Sequence, residues 1–231
     1  MLPPGTEGDH TMQGTALSPR GLAAVLSCPI LVLLCVGFVD RTAADLSHAV
    51  FSGHVAIFVW LTHIVDPVPP LAGFGLAGAG LAAILGWRPG PAGRTFVGCC
   101  IAVLVAIAIK DQLKWAFGRL WPETWVNNNP SWIHDGAYGF FPFHGGQGWF
   151  SFPSGHTTII TAPVAALWER LPKWRLVLAL PVVLVVVGLF GADYHFVGDM
   201  VAGFYLGAAS GIGAAALLRD RPGPAFATPP I

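Results

Sequence analysis

An all-α, polytopic membrane helix bundle is the fold this chain predicts, and three observations predict it. Hydrophobic residues fill 54% of the 231 positions and charged ones only 10%, for a mean hydropathy of +0.64, which no ordinary soluble domain shows. Apolar stretches recur at 21–39, 71–87, 95–117, 155–168, 176–192 and 197–218, most of them near the roughly 20 residues that cross a bilayer as helix. The cationic residues then divide by side, as the retention of Lys and Arg in short cytoplasmic loops requires. With six transmembrane helices and the N-terminus inside, Arg20, Arg88, Arg94, Arg170, Lys173, Arg175, Arg219 and Arg221 fall on the cytoplasmic side, and Arg41, Lys110, Lys114 and Arg119 on the other.

In chain order, residues 1–20 are polar and irregular and read as a disordered cytoplasmic tail, so the 21–39 span is a signal anchor rather than a cleaved signal peptide. Segment 44–65 carries His48, His54, His63 and Ser52 between Asp45 and Asp66, which suits an interfacial helix better than a crossing one. The 95–117 span ends at Gly118, a helix stop, and Pro122 prevents its continuation. A long extracytoplasmic loop, 119–152, leads to the last three spans, and the Pro-rich 219–231 segment reads as a second disordered cytoplasmic tail. The membrane domain is thus expected over 21–218. Cys28, Cys35, Cys99 and Cys100 all lie in apolar spans and read as reduced core residues. Zero formal charge gives no hint of nucleic-acid binding.

The 119–152 loop is rich in aromatic residues, among them Trp121, Trp125, Trp132, Tyr138, Phe140, Phe141, Phe143, Trp149, Phe150 and Phe152. Amphipathic rings concentrate at headgroup level, so one reading is an anchor belt and the other an entrance for a substrate with a lipid tail. Trp121, Trp125 and His144, in Phe143-His144-Gly145-Gly146, are the candidate entrance residues. Asn127, Asn128 and Asn129 read as turn residues.

Two motifs place chemistry on the face away from the cytoplasm. In Pro153-Ser154-Gly155-His156, Ser154 reads as a helix N-cap, and the free N–H groups behind it, with the helix dipole, seat an anion next to His156. In His195-Phe196-Val197-Gly198-Asp199, read as part of a second helix, the histidine and carboxylate stand four apart and hence on one face, so Asp199 can orient and polarise His195. Lys114 and Arg119, at the end of the third span, supply two fixed cations for a phosphate clamp. The same His156, His195 and Asp199 could form a two-His, one-carboxylate metal site, but cations beside them would repel a divalent ion. A transporter or lipid flippase is a second alternative, since intramembrane charges also mark permeation routes, although here they gather at one face; a structural membrane protein with a decayed site is a third.

Lys114 through Pro122, Pro153 through His156 and His195 through Asp199 resemble, in order and spacing, the three signature motifs of the type 2 phosphatidic acid phosphatase family. The resemblance implies a metal-independent, cofactor-free phosphatase in a six-helix membrane bundle. It makes His195 the nucleophile that forms a phosphohistidine, Asp199 its orienting partner and His156 the acid for the leaving oxygen. Lys114, Ser154 and the Gly155 amide would hold the phosphoryl oxygens. Two places depart from the pattern: where the first motif usually ends Arg-Pro the chain has Trp121-Pro122, and where the third usually begins Ser-Arg it has Gly188-Leu189. Arg119 is the candidate replacement for one guanidinium, and Arg41 or Lys110 for the other. The expected substrate is a lipid phosphate: phosphatidate or phosphatidylglycerophosphate, an isoprenyl diphosphate, or a lipid A type glycolipid. Membrane lipids are the surrounding partners. The expected location is a bacterial inner membrane, with the active site on the periplasmic side and both termini cytoplasmic.

Overall fold

The computed structural model describes residues 19–125 and 127–218, so the two tail assignments at 1–18 and 219–231 lie outside the described residues. Among those residues every regular element is helical, and isolated bridges from Arg119 to Phe140 and Phe150 and from Trp121 to Ser131 only tie loops together.

The chain enters as α1 (Pro19–Leu34), which passes through a single π-helical stretch at Cys35–Val39 into α2 (Asp40–Phe51) without leaving right-handed helical dihedrals. A π-bulge adds residues to a turn and so rotates the downstream helix face relative to the upstream one. Here Asp40, the first residue beyond the bulge, is completely buried. Short 3₁₀ turns at Ser52–His54 and His63–Val65 bracket α3 (Val55–Thr62). Helix α4 (Val68–Ile84) then starts on prolines, whose missing N–H groups cost nothing in a first turn.

The 44–65 segment therefore differs from the single interfacial helix expected of it. It comprises most of α2, all of α3 and the turns between and after them, and α3 lies against α8 (Arg175–Gly191). A Cβ on Gly188 would stand 2.7 Å from the Phe58 carbonyl oxygen and 2.8 Å from Leu61 Cβ. Ser47 Oγ donates to the Phe190 carbonyl across the same contact at 2.6 Å. Phe58 and Leu61 of α3 are thus used in helix packing, while Ile57 and Trp60 stay exposed.

Helix α5 (Pro91–Phe117) is the longest and ends where expected. Gly118 adopts φ 55°, ψ 53°, and its N–H caps the Lys114 carbonyl. Any Cβ there would also strike the Phe141 carbonyl, so glycine is required twice over. After the one-turn α6 (Trp132–Asp135), α7 (Gly155–Trp168) begins at the Ser154 cap, and α9 (Val197–Leu217) closes the bundle.

The tightest contact joins α7 and α9. Gly203, Gly207 and Gly211 repeat every four residues along α9, and Cβ atoms on the first two would lie 2.6 Å from the Ser154 carbonyl and 2.5 Å from that of Thr158. Gly211 meets the Ala162 carbonyl in the same way. Small residues at this period let two backbones touch, a means of joining helices where lipid offers no hydrophobic drive. The packing pins the start of α7 to the start of α9 and so positions both histidine motifs.

Outward faces are apolar: Ile84, Leu176 and Leu217 are each more than four-fifths exposed. Patches of this kind fit contact with lipid rather than with water. Among the described residues four helical runs are long and apolar enough to cross a membrane: the broken run Gly21–Ile84, then Pro91–Phe117, Pro172–Gly191 and Val197–Leu217. Helix α7, with 14 residues, is shorter, rising about 21 Å at 1.5 Å per residue.

Candidate active site

Two N-termini meet at the site. Ser154 N–H donates to the Asp199 carbonyl at 3.0 Å, joining the cap of α7 to the first turn of α9. The Ser154 hydroxyl is buried and accepts from Thr157 N–H at 3.4 Å, with Thr157 Oγ1 at 3.0 Å. The cap expected from sequence is therefore present, and because the hydroxyl accepts both contacts its own hydrogen is not spent on them.

Beyond the cap is a cavity of about 530 Å³, lined by Lys110, Lys114, Trp121, Gly155, His156 and His195, with Asp66 and Pro69 among its other walls. Five candidate residues, Lys114, Trp121, Gly155, His156 and His195, from three separate stretches of sequence thus face one space. Lys114 is nearly buried, donates to the Phe150 carbonyl and holds its Nζ 5.6 Å from the Trp121 ring centroid. Trp121, standing where the resemblance would put an arginine, lies 4.9 Å from the His195 ring and anchors its indole N–H on the Gln147 carbonyl at 2.8 Å.

His195 is not on a helix with Asp199. It occupies the turn before α9, whose N-cap is Phe196, while Asp199 lies at the third helical position and accepts the Phe196 N–H at 3.1 Å. The pair still meets, with His195 Nδ1 3.5 Å from Asp199 Oδ2. A third residue completes the contact: Ser151 Oγ lies 2.6 Å from Asp199 Oδ2 and 3.3 Å from His195 Nδ1. A hydroxyl has one hydrogen, and the short contact to a carboxylate takes it. Nδ1 must then be the donor to Ser151, and Nε2 keeps its lone pair. Burial pushes the His195 pKa down from its ordinary value, against the opposing pull of Asp199, so the imidazole is neutral at neutral pH.

Arg119 corrects the sequence reading. Its guanidinium is fully buried and points away from the cavity, donating to Asp199 Oδ1 at 2.5 Å, Asp40 Oδ2 at 2.6 Å and the Tyr138 hydroxyl at 2.8 Å. Phe196 and Phe140 close over it at 4.5 and 4.7 Å. Burial alone would lower its pKa, but the two carboxylates hold it above the ordinary arginine value. Asp40 also accepts the Gly198 N–H at 2.8 Å, so this cation links α2, the loop and the start of α9. Tyr138, caught in the same cluster, is pushed up to about 12, first by burial. Arg119 thus stands behind Asp199, with its two terminal nitrogens engaged by Asp199, Asp40 and Tyr138.

Trp125 and His144 also lie off the cavity. Trp125 packs edge-on against Tyr194 and donates to the Asp193 carbonyl at 3.2 Å, bracing the turn that carries His195. His144 sits on Trp149 with ring centroids 3.9 Å apart. Arg41 stands over Trp132 and Tyr138 and does not reach in, and Leu189 is fully buried among Val65, Val185 and Met200. Of the suggested replacements for the missing guanidinium groups, only Lys110 lines the cavity. Sequence reasoning missed Ser151 and Asp40 entirely. Ser151 stands two residues before Pro153 in a loop with no periodicity to flag it, and Asp40 became visible as a partner only through the π-bulge.

The fold and site define a class: an all-helical membrane protein with two histidines and a lysine gathered at helix N-termini, an arrangement suited to a phosphoryl group. The sequence model of the PAP2 superfamily matches residues 95–222, more than half of the chain, and the protein belongs to that superfamily. It is 32% identical over 101 residues to a lipid A 1-phosphatase of Rhizobium johnstonii, across 43% of this chain and 38% of the relative. A lipid A 1-phosphatase of Rhizobium etli is 30% identical over 100 residues, across 43% of this chain and 40% of the relative. The chain thus spans about two fifths of the length of the curated relatives it matches. Among solved structures, the transmembrane PAP2 type phosphatidylglycerolphosphate phosphatase of Bacillus subtilis superposes with a TM-score of 0.54, covering 85% of this chain and 94% of that one at 18% identity. That likeness is one of fold.

Proposed function

We propose that this protein is a metal-independent lipid phosphatase working through a phosphohistidine. The observation that carries the reading is the convergence of His156, His195, Lys114 and the start of α7 on one cavity, with Asp199 and Ser151 behind His195. His195 Nε2 attacks phosphorus as the bond to the lipid oxygen breaks, and protonated His156 gives its proton to that oxygen. Water, deprotonated by His156, then cleaves the phosphorus–nitrogen bond and releases phosphate. Lys114 and the Gly155 amide hold the non-bridging oxygens, and the helix dipole of α7 offsets their charge. Trp121 covers His195 and keeps water from its ring.

The substrate is a phosphomonoester or diphosphate on a lipid, of the phosphatidate, phosphatidylglycerophosphate, isoprenyl diphosphate or lipid A kind. It reaches the site from the extracytoplasmic leaflet of a bacterial inner membrane. Six crossings over 21–218, with both tails in the cytoplasm, give this orientation, and α7 serves as the short fourth crossing. A second reading, a membrane protein of this fold without turnover, draws on the apolar Trp121 and Leu189 at the two departures from the family pattern. Phosphate release from a panel of these lipids separates the two. The expected result is release that survives EDTA, is blocked by vanadate and is lost in His195→Ala; no release from any member rejects the enzyme.

A further inference from the structure

Lys110 lines the cavity and has no part in the chemistry above. It lies one turn before Lys114 on α5, so both stems rise on the same helix face. A Cβ on Gly155 would stand 3.5 and 3.6 Å from Lys110 Cδ and Cε and 3.7 Å from Lys114 Cε, so the two chains flank the first residue of α7. The Lys110 side chain is 13% exposed, and it is ion-paired with its neighbour Asp111, which is 54% exposed. The lysine is therefore the enclosed member of the pair, although an ion pair alone would be satisfied at the surface. It also lies seven residues, about 10 Å, before the end of the helix at Phe117. Ammonium groups at such depth are costly and are kept where a polar cavity or a ligand compensates them. Snorkelling would carry the stem outward, and this stem packs inward on Gly155.

We propose that Lys110 is a second phosphate-binding residue, whose ammonium passes from Asp111 to a non-bridging oxygen of the substrate and forms a two-lysine clamp with Lys114. The inference rests on the phosphatase reading: two compact ammonium charges meet the negative charge of a terminal phosphoryl group. Asp111 serves as the resting partner that holds Lys110 when the cavity is empty of substrate.

The test is calorimetric titration of the full-length protein in detergent with orthovanadate, with kinetics on a short-chain phosphatidate alongside. Lys110→Met should weaken vanadate binding and raise KM by about 10- to 100-fold, the loss of one charge-assisted contact, while kcat changes far less. Asp111→Asn should tighten vanadate binding, because it releases Lys110; this variant alters the exposed partner and guards against a Lys110→Met protein that does not fold. Unchanged affinity in Lys110→Met or unchanged binding in Asp111→Asn overturns the clamp. So does a wild-type protein that binds no vanadate. Vanadate binding with this pattern in a protein that releases no phosphate supports the clamp and rejects the enzyme, so the two failures are distinct.

Discussion

Arg119→Met separates a structural cation from a phosphate ligand. The wild-type guanidinium is fully buried between Asp199 and Asp40, with donor distances of 2.5 and 2.6 Å. Removing it leaves two buried carboxylates facing each other with no cation between them. Breaking a buried ion pair by deleting one partner costs about 3–5 kcal/mol, and at about 2–4 °C per kcal/mol for a chain of this size the apparent unfolding midpoint should fall by roughly 6–20 °C. Methionine keeps the volume, so cavity formation adds little. The assay is thermal unfolding of detergent-solubilised protein, with Asp40→Asn in the cycle. Asp40→Asn removes one of the stranded charges, so the double variant should be less destabilised than the sum of the two single changes. An Arg119→Met protein with the wild-type midpoint but a raised KM would refute the structural assignment and return Arg119 to the phosphate.

Three further outcomes come from the geometry. Ser151→Ala removes the bridge between His195 and Asp199, and kcat for phosphate release should fall by about 10- to 100-fold with KM nearly unchanged; an equal rise in KM would point to a binding role. Because burial holds the His195 pKa below 6.5, the acid limb of the kcat/KM profile should lie below that value. The unfolded state then binds the extra proton, so this group's contribution to stability is present above pH 6.5 and is lost as pH falls below it; an acid limb above 6.5 contradicts the assignment. On α9, Gly207→Ala should destabilise the bundle measurably, since its Cβ would lie 2.5 Å from the Thr158 carbonyl, while Gly213→Ala, with open space around it, should be neutral or slightly stabilising in an unfolding assay.

Much of the architecture was legible because lipid imposes one rule: a long apolar stretch must satisfy its backbone as helix. The helix stop at Gly118, the Ser154 cap and the meeting of His195 with Asp199 all arise from local rules of chain conformation and short sequence spacing. Direction was not legible. Arg119 and Lys114 are both cations near one helix end, yet the left-handed turn at Gly118 sends Arg119 behind Asp199 while Lys114 faces the cavity. The partner that claims Arg119 is Asp40, 79 residues away, and no periodicity joins them. Trp121 and Trp125 illustrate the same limit: four residues apart in one aromatic loop, one lines the cavity and the other braces the turn before α9. Aromatic content predicted a packed loop but not which rings face substrate.

In the proposed reaction His195 carries the phosphoryl group. Rapid acid-free quenching of the wild-type protein with a radiolabelled lipid phosphate, then peptide mapping, tests it directly. An acid-labile, alkali-stable label is expected on His195, formed in the presence of EDTA and absent from His195→Ala. Turnover with no label on His195, or with turnover retained in His195→Ala, would contradict it.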